Sequence, residues 1–441
     1  MTFTHFKCFF VFFLAGVYVS WAQGQAAQPQ AEPLQLTLHQ ALDLARQNSV
    51  SFQLAVTNAG IAHEDKKQAL TSLLPSVAYD NSAIYTQGTG VNDTVKFIAN
   101  NAVHEYISQA NVHEAFDLAA FADFRRKGAT AAVARAQAEI ASRGLVVTVV
   151  QDYWSMAAAQ LKLEALQKAA DEGEGFLKLT QELERGGEVA HADVIKAELQ
   201  VNDRRRQLQA AKLALLNARL DLAVLIFPSF NSNFAIADDL HAGANMPSLE
   251  EFQQHSAQHN PEIHAAMESV KESNFAVTSS RAGYLPSLGF DYFYGIDAAH
   301  FATRTDGISN LGSAVTVTLN VPIWNWGATQ SKIKQAELRR DQAKRELSLS
   351  QRKLLAELQS LYAEAETASN DLASLGQSAD LSAESLRLTT LRYKNGEATV
   401  LEVVDAQNTA ASASTAYQDG ALKFRVALAN LQTLTGDALI Q

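Results

Sequence analysis

The sequence predicts a mainly α-helical protein that carries four membrane-type β-strands and is built as a duplicated unit. Three observations predict this. Two proline-free, Ala- and Leu-rich stretches each run for nearly 70 residues, short motifs recur about 210 residues apart, and strand-like alternation precedes each long stretch. Helical stretches of that length exceed ordinary globular helices and point to coiled-coil packing. At 1.5 Å per residue each would be about 100 Å long.

Composition narrows the possibilities. The chain has 441 residues, of which 47% are apolar and 19% charged, and its mean hydropathy is -0.10. Beyond the first twenty residues, no run approaches the roughly 20 apolar residues of a spanning helix, which excludes a polytopic helical membrane protein. A net charge of -11 removes the electrostatic drive for binding a phosphate backbone, so nucleic acid is not an expected partner.

The elements follow in order. Residues 1–22 read as a secretory signal peptide: His5 and Lys7, an apolar stretch from Phe9 to Val19, then Ser20-Trp21-Ala22. The single cysteine, Cys8, lies inside it, so the exported chain is expected to have no disulfide, thiolate or Cys-ligated zinc. Residues 23–35 form a polar linker. The first repeat, 36–227, reads as a helix (Leu36 to Leu74), a strand pair (76–87 and 106–116), a long helix to Arg185, a Gly turn and a second helix to Ile226. A connecting segment, 228–248, is rich in turn formers and holds one strand-like piece from Phe234 to Ala237. The second repeat, 249–441, has the same layout: a helix (Leu249 to Leu285), strands 287–296 and 311–321, a long helix from Gly327 to Lys394, a turn, and a helix from Ala398 to Leu434.

The repeat is carried by short motifs. Leu73-Leu74-Pro75-Ser76 returns as Tyr284-Leu285-Pro286-Ser287, and Arg185-Gly186-Gly187-Glu188 as Lys394-Asn395-Gly396-Glu397. In the second long helix, Leu347, Leu354, Leu361, Ala368 and Leu375 interleave with Leu358, Ala365, Leu372, Ala379, Leu386 and Tyr393. Each series steps by seven, and together they make a heptad seam.

The strands alternate. Val315, Val317, Leu319 and Val321 oppose Thr316, Thr318 and Asn320, while Leu288, Phe290, Tyr292, Tyr294 and Ile296 oppose Ser287, Gly289, Asp291 and Gly295. In the first half, Val77, Tyr79, Ala83 and Tyr85 form an apolar set broken by Asn81. Each strand is near the 9 to 11 residues that cross a bilayer when tilted. Two hairpins packed on a helical domain would also give this pattern. Four strands cannot close a membrane barrel alone, so closure would need several chains around an axis.

Other chemistry is sparse. His255, His259 and His264, with His241 nearby, include an i, i+4 pair, but no acidic ligand completes a metal set, and packed or solvated histidines are the better reading. Arg204-Arg205-Arg206 and Arg125-Arg126-Lys127 read as solvated helix faces. There is no nucleophile elbow, phosphate loop or HExxH helix, so neither an enzyme nor a cofactor is expected.

In the order of its motifs the chain resembles the TolC family of outer-membrane efflux and secretion channels. The matching features are the Leu-Pro-Ser turns, the exit Val321-Pro322-Ile323-Trp324-Asn325-Trp326-Gly327 into the second long helix, and Tyr393-x-x-Gly396 followed by Val403-Val404-Asp405-Ala406-Gln407. The resemblance implies a homotrimer whose twelve strands form an outer-membrane β-barrel above a periplasmic helical tunnel. It also implies docking to a periplasmic adaptor (membrane fusion protein) and an inner-membrane pump of the RND or ABC type. By motif position, Glu402 and Asp405 look like the acids ringing the tunnel's periplasmic constriction, Asp193 like the first-half acid, and Tyr393 like the constriction aromatic. As bare residues these acids read as solvated helix charges. Ala398 stands where a relative has an arginine, so the family's gate-locking ion pair is expected to be missing. Gly186, Gly187 and Glu188, with Asn395, Gly396 and Glu397, are the expected adaptor-contact tips, and their plainer role is turning the chain. The competing expectation is a non-channel periplasmic coiled-coil adaptor or structural protein.

Overall fold

The computed structural model describes residues 34–85, 104–229, 233–241, 246 and 248–435. The leader, nearly all of the polar linker and the loop 86–103 within the first strand pair lie outside the described residues, as does part of the connecting segment.

In chain order the elements are β1 (Leu34–Leu36), α1 (Leu38–Asn48), α2 (Val50–Thr71), β2 (Ser76–Tyr85), β3 (His104–Phe116), α3 (Leu118–Arg185) and α4 (His191–Ile226). After these come β4 (Phe234–Ile236), α5 (Leu249–His259), α6 (Pro261–Ala282), β5 (Ser287–Ala298), β6 (Arg304–Thr305), β7 (Ile308–Ser309), β8 (Leu311–Asn320), α7 (Ala328–Lys394) and α8 (Val400–Thr435). The long helices α3 and α7 have 68 and 67 residues. The α7 seam is apolar as its heptads require: Leu354, Leu358, Ala365, Ala368 and Tyr393 are buried.

The two helices read as continuous over Leu36 to Leu74 and Leu249 to Leu285 are each broken. Ser49 separates α1 from α2 and Asn260 separates α5 from α6, both with extended backbone (φ -68, ψ 113 and φ -72, ψ 118). Each breaking residue caps the helix it starts. Asn260 Oδ1 accepts from the Glu262 and Ile263 amides at 2.9 and 3.1 Å, and Ser49 Oγ accepts from the Phe52 amide. Pro261 fixes the second break, since the residue before proline is pushed out of the helical region. The breaks fall at equivalent points of the two repeats, so the duplication extends to where the rods are interrupted.

Strands β2, β3, β5 and β8 form one antiparallel sheet in that order. The strand boundaries shift slightly from the sequence reading. β3 starts at His104, β5 runs to Ala298 and β8 stops at Asn320. The loop after β5 contains a two-residue hairpin, β6 with β7, turning at Asp306 and Gly307 with φ of 51 and 83.

Below the sheet the helices keep the same lateral order. α2 packs on α3, α3 on α6, and α6 on α7; lower down α3 lies between α4 and α8, and α7 packs on α8. Each strand therefore continues into its own helix with no crossover. Around the middle, β1 pairs in parallel with β4 over a core of Leu36, Ala41, Val149, Tyr153, Leu222 and Ile226. The Tyr153 hydroxyl lies 2.8 Å from both the Leu36 carbonyl and the Asp238 carboxylate, and burial pushes this phenol's pKa up.

The register sorts the side chains into two faces. One carries Val77, Tyr79, Val112, Phe116, Leu288, Phe290, Tyr292, Val315, Val317 and Leu319; the other carries Asp80, Gln109, Asn111, His113, Asp291, Thr316 and Thr318. Asn81 and Glu114 interrupt the apolar face, and Asn81 accepts a 2.7 Å hydrogen bond from Ser108, whose hydroxyl also lies 2.9 Å from that of Tyr79.

Candidate functional site at the hairpin tips

The helices turn back on themselves in two matching hairpins. After α3, Gly187 has φ 78, the Glu188 amide donates to the Leu183 carbonyl at 2.9 Å, and the Gly187 amide to Glu184 at 2.8 Å. After α7, Gly396 has φ 74, the Glu397 amide donates to the Arg392 carbonyl at 2.9 Å, and the Gly396 amide to Tyr393 at 3.0 Å. This is the Schellman closure, in which a left-handed glycine lets the last carbonyls of a helix find donors. Gly186 itself is helical (φ -74) and caps α3, and Asn395 caps α7. Glu188, Asn395 and Glu397 are exposed at the turns.

The predicted constriction residues divide into two groups. Tyr393 is buried, 4% exposed. Its ring lies 5.1 Å from that of Phe176, and its hydroxyl donates to Thr180 Oγ1 at 3.4 Å. With Ala197, Val400 and Val403 it forms an apolar plug between the α3–α4 and α7–α8 hairpins. Burial raises its pKa, so the phenol stays a neutral donor. Asp193, half-buried in the first turn of α4, pairs with Lys196 at 3.2 Å and is close enough to Tyr393 to act on it through charge.

Glu402 and Asp405 are instead exposed on α8. Glu402 Oε1 accepts from the Thr399 amide and hydroxyl at 3.2 and 3.1 Å, while its Oε2 lies 3.6 Å from Arg392. Arg392 also donates to the Glu397 carbonyl at 2.9 Å. This cation braces its own hairpin and does not tie α7 to α3. Ala398 packs against the apolar plug.

A tie that the sequence hid lies higher up. Arg204, 3% exposed, reaches from α4 to Asn408 on α8 at 2.8 Å and to Gln207 at 2.8 Å. Burial lowers its pKa. The triplet read as solvated is therefore split: Arg205 pairs with Glu174 at 2.9 Å, Arg206 with Asp203, and Arg204 is enclosed. Likewise Arg125 lies over Phe275, Arg126 pairs with Asp123, and Lys127 with Asp65 at 2.9 Å. No metal-type cluster occurs among the described residues. The His241 Nε2 lies 2.8 Å from Gln418, with its ring stacked on Tyr417, and the His255 side chain lies outside the described residues.

Residues 253–437 match the family model described as outer membrane efflux protein. The backbone superposes on the CmeC outer membrane channel of Campylobacter jejuni with a TM-score of 0.81, at 18% identity, covering 91% of this chain and 85% of that one. Among curated proteins, the outer membrane protein TolC of Vibrio cholerae is 26% identical over 270 residues, 60% of this chain and 61% of that protein. In sequence and in fold the chain is similar to the TolC family. Outer membrane protein OprJ of Pseudomonas aeruginosa is also 26% identical, over 236 residues, 54% of this chain and 47% of OprJ. The match thus spans about half the length of OprJ and three-fifths of TolC. Among the described residues, no helix is long and apolar enough to cross a membrane.

Proposed function

We propose that three copies of this chain close into one exit duct: a twelve-stranded barrel in the outer membrane above a helical tunnel that holds most of the chain in the periplasm. One observation carries the reading. The lateral order is the same in sheet and helices, and both edges are left open. β2 and β8 are each paired on one side only, and exposed aliphatics gather on the edge helices: Val50, Leu54 and Ile61 on α2, Leu199, Leu213 and Leu220 on α4, and Leu338, Leu349 and Leu388 on α7. An open strand edge is untenable in lipid, and a β2 of one copy beside a β8 of the next removes both edges by rotational closure.

The duct is passive, and an inner-membrane pump reached through a periplasmic adaptor at the hairpin tips supplies the energy. The gate is the contact between the two hairpins. Tyr393 and the Arg204–Asn408 link hold it shut, while Glu402 and Asp405 from three chains place carboxylates around the pore and favour cations. Light scattering of the detergent-purified protein is expected to give three times the mass of the exported chain, which is the 47.8 kDa chain less its leader, and planar bilayers discrete conductance steps. A soluble monomer without conductance would instead support the periplasmic coiled-coil reading.

A further inference from the structure

Between α4 and α8, and floored by α3, lies a cavity of about 750 Å³. It runs from the Arg204–Asn408 link to Ala218 and Leu422, which pack against the central core. Its room comes from alanine. Ala159 on α3, Ala214 and Ala218 on α4 and Ala411 on α8 line it with side chains too short to fill it.

The charges in this cavity are one-sided. Arg204 and Lys162 line it, with Gln207, Asn408, Ser412 and Thr415 as neutral polar groups, and no Asp or Glu does. That is unexpected in a chain with 47 Asp and Glu against 36 Lys and Arg. The groove between α3 and α7 shows the ordinary mixture, with Glu172, Glu182, Asp380 and Glu384 beside its cations.

The two cations differ. Lys162 has a partner in Asp419. Arg204 is enclosed, yet its hydrogen bonds go to the neutral amides of Gln207 and Asn408. Asp203 and Glu172 act on it through charge alone, and Asp203 is taken by Arg206 and Gln207. A guanidinium presents five donors in a planar fork that matches a carboxylate. Buried charges are ordinarily met by a counter-charge, and the fold supplies none in contact with this one.

We propose that the cavity binds an amphiphilic organic anion, a carboxylate or sulfonate on an apolar body, with its head on Arg204 and its body along the alanine walls towards Leu422. The volume fits this class, since pockets for small organic ligands span about 300 to 1,000 Å³ and are mostly apolar with a few polar groups. The site lies within one chain. Its place in the assembly rests on the duct reading above: Asp405, Asn408, Ser412 and Thr415 step by three and four residues and share one face of α8, so the cavity opens on the lumen side, just beyond the constriction acids. There it gives anionic cargo a foothold that the acids deny it.

The test is isothermal titration calorimetry on the full chain, purified as its oligomer in a neutral maltoside detergent. Naphthoate is the probe and naphthamide its uncharged counterpart, with titrations into protein-free micelles subtracted. One naphthoate per chain is expected, held about tenfold or more tightly than the amide, the scale of a hydrogen bond to a charged group. Arg204→Gln should bring the acid down to the affinity of the amide. A second variant leaves the Arg204–Asn408 link in place: Ala214 is exposed on the cavity wall, and Ala214→Phe should fill the space and weaken both probes with unchanged helical circular dichroism. Equal affinity for acid and amide in the unaltered chain, no saturable naphthoate binding at millimolar concentration, or undiminished binding to Ala214→Phe each overturns the site. Conductance in planar bilayers without such binding leaves the duct intact and removes the site, whereas binding without conductance keeps the site and removes the duct.

Discussion

Tyr393 spends its aromatic ring on holding two hairpins together. Truncating a buried aromatic to alanine typically costs about 3–5 kcal/mol, whereas losing only the hydroxyl's hydrogen bond costs about 0.5–1.5 kcal/mol. The expected outcome is that Tyr393→Ala opens the tip, giving larger or longer conductance steps, and Tyr393→Phe changes them little. Equal effects would mean that the hydroxyl, not the ring in the Phe176 contact, is the latch. Glu402 and Asp405 are exposed, so replacing both with alanine should leave folding intact while reducing cation preference and block by multivalent cations. Reversal-potential measurements in a salt gradient check this, and unchanged selectivity would return both residues to ordinary helix charges. Tyr393's burial was legible in the sequence and Arg204's enclosure was not. Tyr393 fell on a heptad position, so its burial was implied by spacing. Arg204 stood in a run of three arginines, and nothing in a run of like residues says which one faces a neighbour supplied by a helix some 200 positions away.

The elements were legible where one face is apolar and the period is clean. The α7 seam and the strand parities follow from spacing alone, because burial on one side leaves its signature every seventh or every second residue. The helix break at Ser49 was not, since a capping residue does not disturb the period on either side, whereas the break at Asn260 was signalled by Asn260-Pro261, which the continuous reading passed over. Asn260→Ala removes the side chain that receives two amides, and a loss of about 1 kcal/mol is expected, measurable as a lowered chemical-unfolding midpoint. In the sheet, Gly295 is irreplaceable for a different reason. A Cβ there would sit 2.3 Å from the Ser108 carbonyl and 2.4 Å from the Gln109 Cα, both backbone atoms that cannot swing aside. Gly295→Ala should therefore part β3 from β5 locally, costing about 1–3 kcal/mol or more, and should lower the temperature at which the oligomer dissociates on semi-native gels.

At the scale of the whole molecule, the exposed aliphatics on α2, α4 and α7 are the most direct lever. Leu338 is 58% exposed on α7. Leu338→Glu at an apolar seam between copies would desolvate an unpaired charge, so the expected outcome is a folded monomer by light scattering with unchanged helical circular dichroism. A trimer that survives would move the seam elsewhere. If the duct proposed above is right, the sheet's two open edges bear on when the protein enters the membrane. A lone copy that inserted would leave the outer backbone groups of β2 and β8 facing hydrocarbon, so insertion has to wait for, or coincide with, the meeting of copies. Its rate should then rise more steeply than the first power of protein concentration. The strand edges act as a molecular counter: the bilayer is barred to a chain until enough partners have arrived to leave no backbone group unpaired.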